Sequence, residues 1–140
     1  MNILKILTPK RSLGNFGERA ACKYLKKNGY KILERNYVAF NKEIDVIAAR
    51  DGVTAFIEVK TRTDGVENPN EQRPASAVTP EKQRGIITAA KCYLGFNRPD
   101  TRARLDVIEV LVKNGGKRRR VVEIKHLKGA FNLNTAHRRK

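Results

Sequence analysis

The dipeptide Asp51-Gly52 constrains this chain more than any other feature. It stands between two apolar-rich segments, Glu43 to Ala49 and Val53 to Arg62. Asp-Gly between two such runs is a strong signal for a tight β-hairpin, because both residues tolerate positive φ. The second segment alternates. Val53, Ala55, Ile57 and Val59 fall on one face, and Thr54, Phe56, Glu58, Lys60 and Arg62 on the other. With a two-residue loop the register follows, since residues equidistant from the turn oppose each other. Asp45 then faces Glu58, and Glu43 faces Lys60. Opposed residues have Cβ atoms about 4.5–5.5 Å apart and point to the same side of the sheet.

Two carboxylates facing each other across a ladder repel, and Asp is a poor strand former. Something positive is needed between them. Lys60 neutralises part of the charge. A hard divalent cation neutralises more, because Mg²⁺ takes oxygen ligands and often uses one or two carboxylates plus waters. The competing reading is a solvated acidic face with Lys60 as an ordinary ion-pair partner. Glu18 falls near the apolar face of a helix that carries Ala21, Cys22 and Leu25. It is either a third acid leaning over the sheet or a first-turn Glu favoured by the helix dipole.

The rest of the chain surrounds this hairpin with alternating helix and strand signals. Leu13 to Asn28 has helical periodicity, with Ser12 as N-cap and Gly29 as the stop. Tyr30 to Phe40 reads as an extended edge. Thr63 to Val78 is a long loop rich in Pro, Asn, Asp, Glu and Gly, and Thr79-Pro80 opens a second helix. Arg104 to Val112 is a further strand, Asn114-Gly115-Gly116 a turn, and Lys117 to Leu127 a final basic strand. The order predicts a layered α/β domain over residues 13–131, between a basic flexible segment at 1–12 and a basic tail at 132–140.

Charge narrows the partner. The chain has 30 Lys plus Arg against 14 Asp plus Glu, a formal net charge of +16. Self-repulsion of that size is relieved by a polyanion, and nucleic acid is the expected one, with DNA preferred over RNA. Arg62, Arg73, Lys82, Arg84 and the run Lys117, Arg118, Arg119, Arg120 are the candidate phosphate contacts. Each is also readable as a solvated surface charge. No long basic amphipathic helix, signal peptide or membrane span is visible, so no membrane partner is expected. Cys22 and Cys92 lack any zinc-type spacing and read as two thiols in a reducing compartment, the cytoplasm. There is no nucleophile elbow, P-loop or GxGxxG.

Asp45 followed by Glu58-Val59-Lys60 resembles the D…ExK core of the PD-(D/E)XK, restriction endonuclease-like superfamily. The match is closer to its YraN-like family of bacterial proteins. It is carried by Gly17-Glu18-Arg19-Ala20-Ala21, Gly29-Tyr30, Glu43-Ile44-Asp45-Val46-Ile47-Ala48, Phe56-Ile57-Glu58-Val59-Lys60, Lys82-Gln83-Arg84 and Asp106-Val107-Ile108. The resemblance spans about Leu13 to Phe131. It implies an αβββαβ core, a mixed central sheet flanked by helices, related to Holliday-junction resolvases. It implies a Mg²⁺- or Mn²⁺-dependent phosphodiesterase, an endonuclease acting on branched DNA among the options.

In that scheme Glu18, Asp45, Glu58 and Lys60 are catalytic. Asp45, Glu58 and the Val59 carbonyl hold the metal, while Glu43 and Gln83 support the site. By analogy with resolvases, a homodimer is allowed. Two positions depart from the family pattern. Lys42 stands where a Gly usually precedes Glu-Ile-Asp, and Gly85 where a basic residue often sits. The alternatives are a non-catalytic nucleic-acid-binding module of a DNA-processing or RNA-associated complex, and a ribosome- or membrane-associated basic protein.

Overall fold

A computed structural model describes residues 9–65, 78–115 and 118–131. It contains α1 (Pro9–Lys27), β1 (Lys31–Ala39), β2 (Lys42–Arg50), β3 (Val53–Thr63), α2 (Pro80–Asn97), β4 (Arg102–Gly115) and β5 (Arg118–Phe131). The strands form one mixed five-stranded sheet in the order β1-β2-β3-β4-β5. All neighbours are antiparallel except β3 and β4, which run parallel and are joined through α2. This is the expected α/β arrangement, with one helix on each side of the sheet.

The turn chemistry sets the frame. Asp51 and Gly52 have φ of 50° and 77°, and β2 pairs with β3 from Arg50↔Val53 to Val46↔Ile57. That is the register of a two-residue loop. Alternation along β3 then divides the core. Ala55 and Ile57 join Ala21, Leu25, Val46 and Ile108 on the α1 side. Phe56 joins Ile47, Ile86, Ala90 and Tyr93 on the α2 side.

Helix α1 ends as expected. The Gly29 amide bonds to the Lys26 carbonyl at 3.1 Å and the Tyr30 amide to the Leu25 carbonyl at 2.9 Å, a Schellman closure. Its start differs from expectation: the helix begins at Pro9, so Ser12 lies inside it and is not its cap. Thr79 does cap α2, its hydroxyl accepting the Lys82 amide at 3.2 Å with Pro80 in the first position. The strands β4 and β5 run longer than their apolar cores suggest. Most of the loop expected from Thr63 to Val78, and Gly116 of the expected turn, lie outside the described residues.

Helix α1 lies unusually close to β3. A Cβ built on Gly17 would sit 1.9 Å from Thr61 Oγ1 and 3.0 Å from its Cβ. Only a residue without a side chain fits there. This approach brings the next residue, Glu18, against the sheet. Among the described residues no helix is long and apolar enough to cross a membrane.

Candidate functional site

The expected pair forms, and the strand breaks to form it. The β2–β3 ladder stops at Val46↔Ile57. In the next row the Val59 amide donates to the Asp45 carboxylate at 2.8 Å, in place of a backbone acceptor. The pleat is interrupted at the same point. Ile44 packs on the α2 side with Ile47, whereas Val46 and Ala48 pack on the α1 side. Strict alternation would have kept Ile44 with Val46. On the other side of Asp45, Asn36 of β1 adopts φ 55° between the rows Arg35↔Val46 and Tyr37↔Ile44.

Glu58 is buried and its carboxyl lies within hydrogen-bond reach of Asp45. Burial, then the Glu58 charge, raise the Asp45 carboxyl to about 8, against the opposing pull of the Val59 amide, with Glu18 adding to the rise. An aspartate so raised holds its proton near neutral pH until a cation replaces it. Glu58 is ion-paired to the Lys82 ammonium, which reaches in from the first turn of α2. Burial pulls the Lys82 pKa down, but the bond to Glu58 and the charges of Glu58, Asp45 and Glu43 leave it raised.

Glu18 enters from the α1 side. Its Oε1 is buried and has no hydrogen-bond partner; the Arg35 guanidinium, 3.6 Å away, is an ion-pair contact too long for a bond. Burial raises its pKa, Arg35 opposes that, and Glu43 adds to it. Asp45 and Glu58, but not Glu18, open onto a cleft of about 410 Å³ lined also by Lys42, Glu43, Lys82 and Ile86 among others.

Several expectations are redrawn. Glu43 does not oppose Lys60, because the antiparallel ladder has ended before it; Lys60 instead pairs with Glu109 in the parallel register with β4. Glu43 is an exposed wall of the cleft. The Gln83 amide is committed to the Val78 carbonyl at 2.7 Å and braces the entry to α2. Arg62 is half-buried against Glu109 at 3.2 Å. Arg84 is exposed on α2, and Arg118, Arg119 and Arg120 are exposed on the edge strand β5. Arg120 pairs with Lys113, whereas Glu58 pairs with Val107, so the arginine run lies six residues further along β4. At about 3.3 Å per residue that is on the order of 20 Å from the acids. Arg73 and Lys117 lie outside the described residues.

Sequence reasoning missed Arg35 and the Lys82–Glu58 pairing. Arg35, with Asn36, belongs to the segments that resemble the family, but the sequence gives it no role; its relevance comes from the β1–β2 register. It also left Lys42 without a role. The Lys42 stem lies across Gly85: a Cβ there would sit 2.9 Å from Lys42 Cδ. The two departures from the family pattern therefore touch.

The residues present suit a hard cation. A Glu18 carboxylate oxygen that accepts no hydrogen bond and the adjacent Asp45 and Glu58 carboxyls are the oxygen donors such a cation prefers. Among the described residues no three His, Cys, Asp or Glu side chains gather tightly enough to hold a metal alone. A cation held by Asp45 and Glu58 would need water to complete its shell.

The fold and the acidic pair where β2 and β3 part define a restriction endonuclease-like protein. The chain belongs to the family described as "Uncharacterised protein family UPF0102", the YraN-like family, whose profile matches residues 17–110. A UPF0102 protein of Chlorobaculum parvum is 50% identical over 121 residues, covering 85% of this chain and 91% of the relative. One from Geobacter metallireducens is 44% identical over 125 residues, covering 88% and 94%. One from Pelobacter propionicus is 41% identical over 126 residues, covering 88% and 84%.

Proposed function

We propose that this protein is a divalent-metal-dependent phosphodiesterase acting on nucleic acid in the reducing cytoplasm. The reading is carried by one observation: two carboxyls, Asp45 and Glu58, are forced together at the mouth of a cleft in a chain of net charge +16. A protein that only bound phosphate would gain nothing from placing acids there. The two cysteines, Cys22 and Cys92, are both free, in keeping with a reducing compartment.

Mg²⁺ or Mn²⁺ would be held by Asp45 and Glu58, with the Val59 carbonyl and waters filling the shell. When bound, it would supply Lewis acidity to a phosphate oxygen and acidify a water. The chain's own groups do the rest. The Val59 amide fixes the orientation of Asp45. Lys60, on the strand beside Glu58, offsets charge that develops at phosphorus. Lys82 is ion-paired to Glu58 and stands ready for a substrate phosphate. Glu18 would accept from a water through Oε1, which takes no hydrogen bond from the protein.

Nucleic acid that touched both the acids and Arg118–Arg120 would span on the order of 20 Å, about six base pairs at 3.4 Å each. Affinity from these charges falls steeply with salt.

One observation favours a second reading, a non-catalytic binding module: the Lys82 ammonium already neutralises Glu58. Cleavage of labelled four-way junction, flap, single strand, duplex and structured RNA, with Mg²⁺, Mn²⁺ or chelator, separates the two. Cutting that needs metal and vanishes in Glu58→Ala supports the first. Salt-sensitive binding without cutting supports the second.

A further inference from the structure

Phe40 and Asn41 join β1 to β2, and both have positive φ, 53° and 61°. Asn tolerates this backbone because its short polar side chain bonds locally; a bulky residue such as Phe is disfavoured there. The ring gains no burial in return, being 72% exposed. A strained, solvent-facing aromatic in a chain with only 5 Phe and no Trp calls for a ligand.

Its position says which one. The turn leads directly into the rim of the acidic cleft, which Asn41 and Lys42 line together with Asp45 and Glu58. The Lys42 stem is seated over Gly85 of α2, its Cδ and Cγ standing 2.9 Å and 3.4 Å from where a Cβ would be. The turn therefore offers an aromatic face two residues from a cation fixed at the cleft wall. Phe40 lies five positions before Asp45, at most on the order of 16 Å of strand, or a few nucleotides.

We propose that the β1–β2 turn is a nucleotide clamp, in which Phe40 stacks on an unpaired base and Lys42 meets an adjoining phosphate. This rests on the nucleic-acid reading above and adds the substrate class: strands with unstacked bases, single-stranded or at a junction. Any base offers a π-face to an aromatic ring, but a base inside a continuous duplex has none free. A second copy of the chain is the rival cover for Phe40, since Val38 on the same edge strand is 59% exposed. Two chains of net charge +16 repel each other, so a polyanion fits the turn better.

The test is binding in chelator, which prevents cutting, to labelled single strand, four-way junction and duplex of matched length. Phe40→Ala and Phe40→Asn are expected to weaken single-strand and junction binding about fivefold or more, the lower range of one base–aromatic stack, and duplex binding less than twofold. Phe40→Asn suits the turn backbone, so its loss of binding reports the ring and not the fold. Phe40→Trp should restore binding and supply the chain's sole tryptophan, its emission quenched by single strand and unchanged by duplex. Lys42→Met should weaken all three ligands and lower the salt dependence by about one phosphate contact.

Wild-type binding with no effect of Phe40→Ala or Phe40→Asn would overturn the clamp and leave the nucleic-acid reading standing. Self-association lost in Phe40→Ala, with nucleic-acid binding intact, would assign the ring to a contact between copies and overturn it too. Failure of the wild type to bind any of the three would overturn both readings.

Discussion

The Asp45 carboxylate accepts the amide of Val59 at 2.8 Å, so a side chain stands where a strand backbone would otherwise pair. That bond turns Asp45 toward Glu58 and ends the ladder between β2 and β3. It has a titration consequence. With its pKa raised to about 8 by burial and by Glu58, folded Asp45 holds a proton that an unfolded chain releases near 3.8. Between those values the native state binds more protons, so metal-free stability falls as pH rises and levels off above about 8. Urea unfolding at pH 5.5, 7 and 8.5 is expected to show this slope in wild type and a flatter one in Asp45→Asn, whose amide oxygen still accepts from Val59. Equal slopes would remove Asp45 as the source.

The same proton links to metal. Mn²⁺ binding is expected to release about one proton near pH 7 and little at pH 9. Calorimetry in buffers of different ionisation enthalpy measures it directly. No buffer dependence at pH 7 would contradict a protonated Asp45 at the site.

Lys82 is ion-paired to Glu58, so a divalent cation held there would compete with it. Removing its charge in Lys82→Gln is expected to tighten Mn²⁺ binding about two- to fivefold, the range a half-exposed ion pair supports, while weakening nucleic-acid binding. A loss of metal affinity would show that Lys82 helps to build the site.

Gly17 is the contact that lets Glu18 reach the sheet. Gly17→Ala pushes a methyl into Thr61 and is expected to cost roughly 1–3 kcal/mol. Thr61→Ala removes the nearest atom and should recover part of that loss in a double-mutant cycle. Additive effects would mean that the helix shifts freely.

Asp106 is a contrast, an acid committed to structure. It is fully buried, bonded to Arg104 through both oxygens at 2.9 Å, to His126 at 2.7 Å and to the Gly129 amide at 3.0 Å. Burial pushes its pKa up, but His126, Arg104 and the Gly129 amide outweigh this and leave it lowered. Its contribution is therefore complete above the ordinary carboxylate range and is lost as pH falls through the folded value. Asp106→Asn is expected to cost about 3–5 kcal/mol in urea unfolding, as for a broken buried ion pair. A loss below 1 kcal/mol would contradict the network.

These particulars show where sequence reading succeeds. Asp51-Gly52 sets the pairing through Val46↔Ile57 because turn type and side-chain alternation are local and agree. It fails one residue later, where a side-chain-to-backbone bond breaks the alternation that the argument assumes. The Asp45–Glu58 pair is legible because both lie close to that turn. Lys82 on Glu58, Arg35 beside Glu18 and Lys42 across Gly85 each join different elements. Their distances depend on how α1, α2 and β1 dock, and residue type at one position does not encode that. The start of α1 at Pro9 was hidden because Ser12 is as acceptable within a helix's opening turns as at a cap.

In the proposed function, Asp45 and Glu58 would together hold the metal on which cleavage of nucleic acid depends. Single-turnover cleavage of a labelled four-way junction and its linear arms, with wild type, Asp45→Asn and Glu58→Ala at saturating protein, tests it most directly. The expected result is Mg²⁺- or Mn²⁺-dependent strand breaks by wild type, abolished by chelator and by either substitution, with binding retained in both variants. Metal-dependent cleavage undiminished in both variants would contradict the assignment of the site.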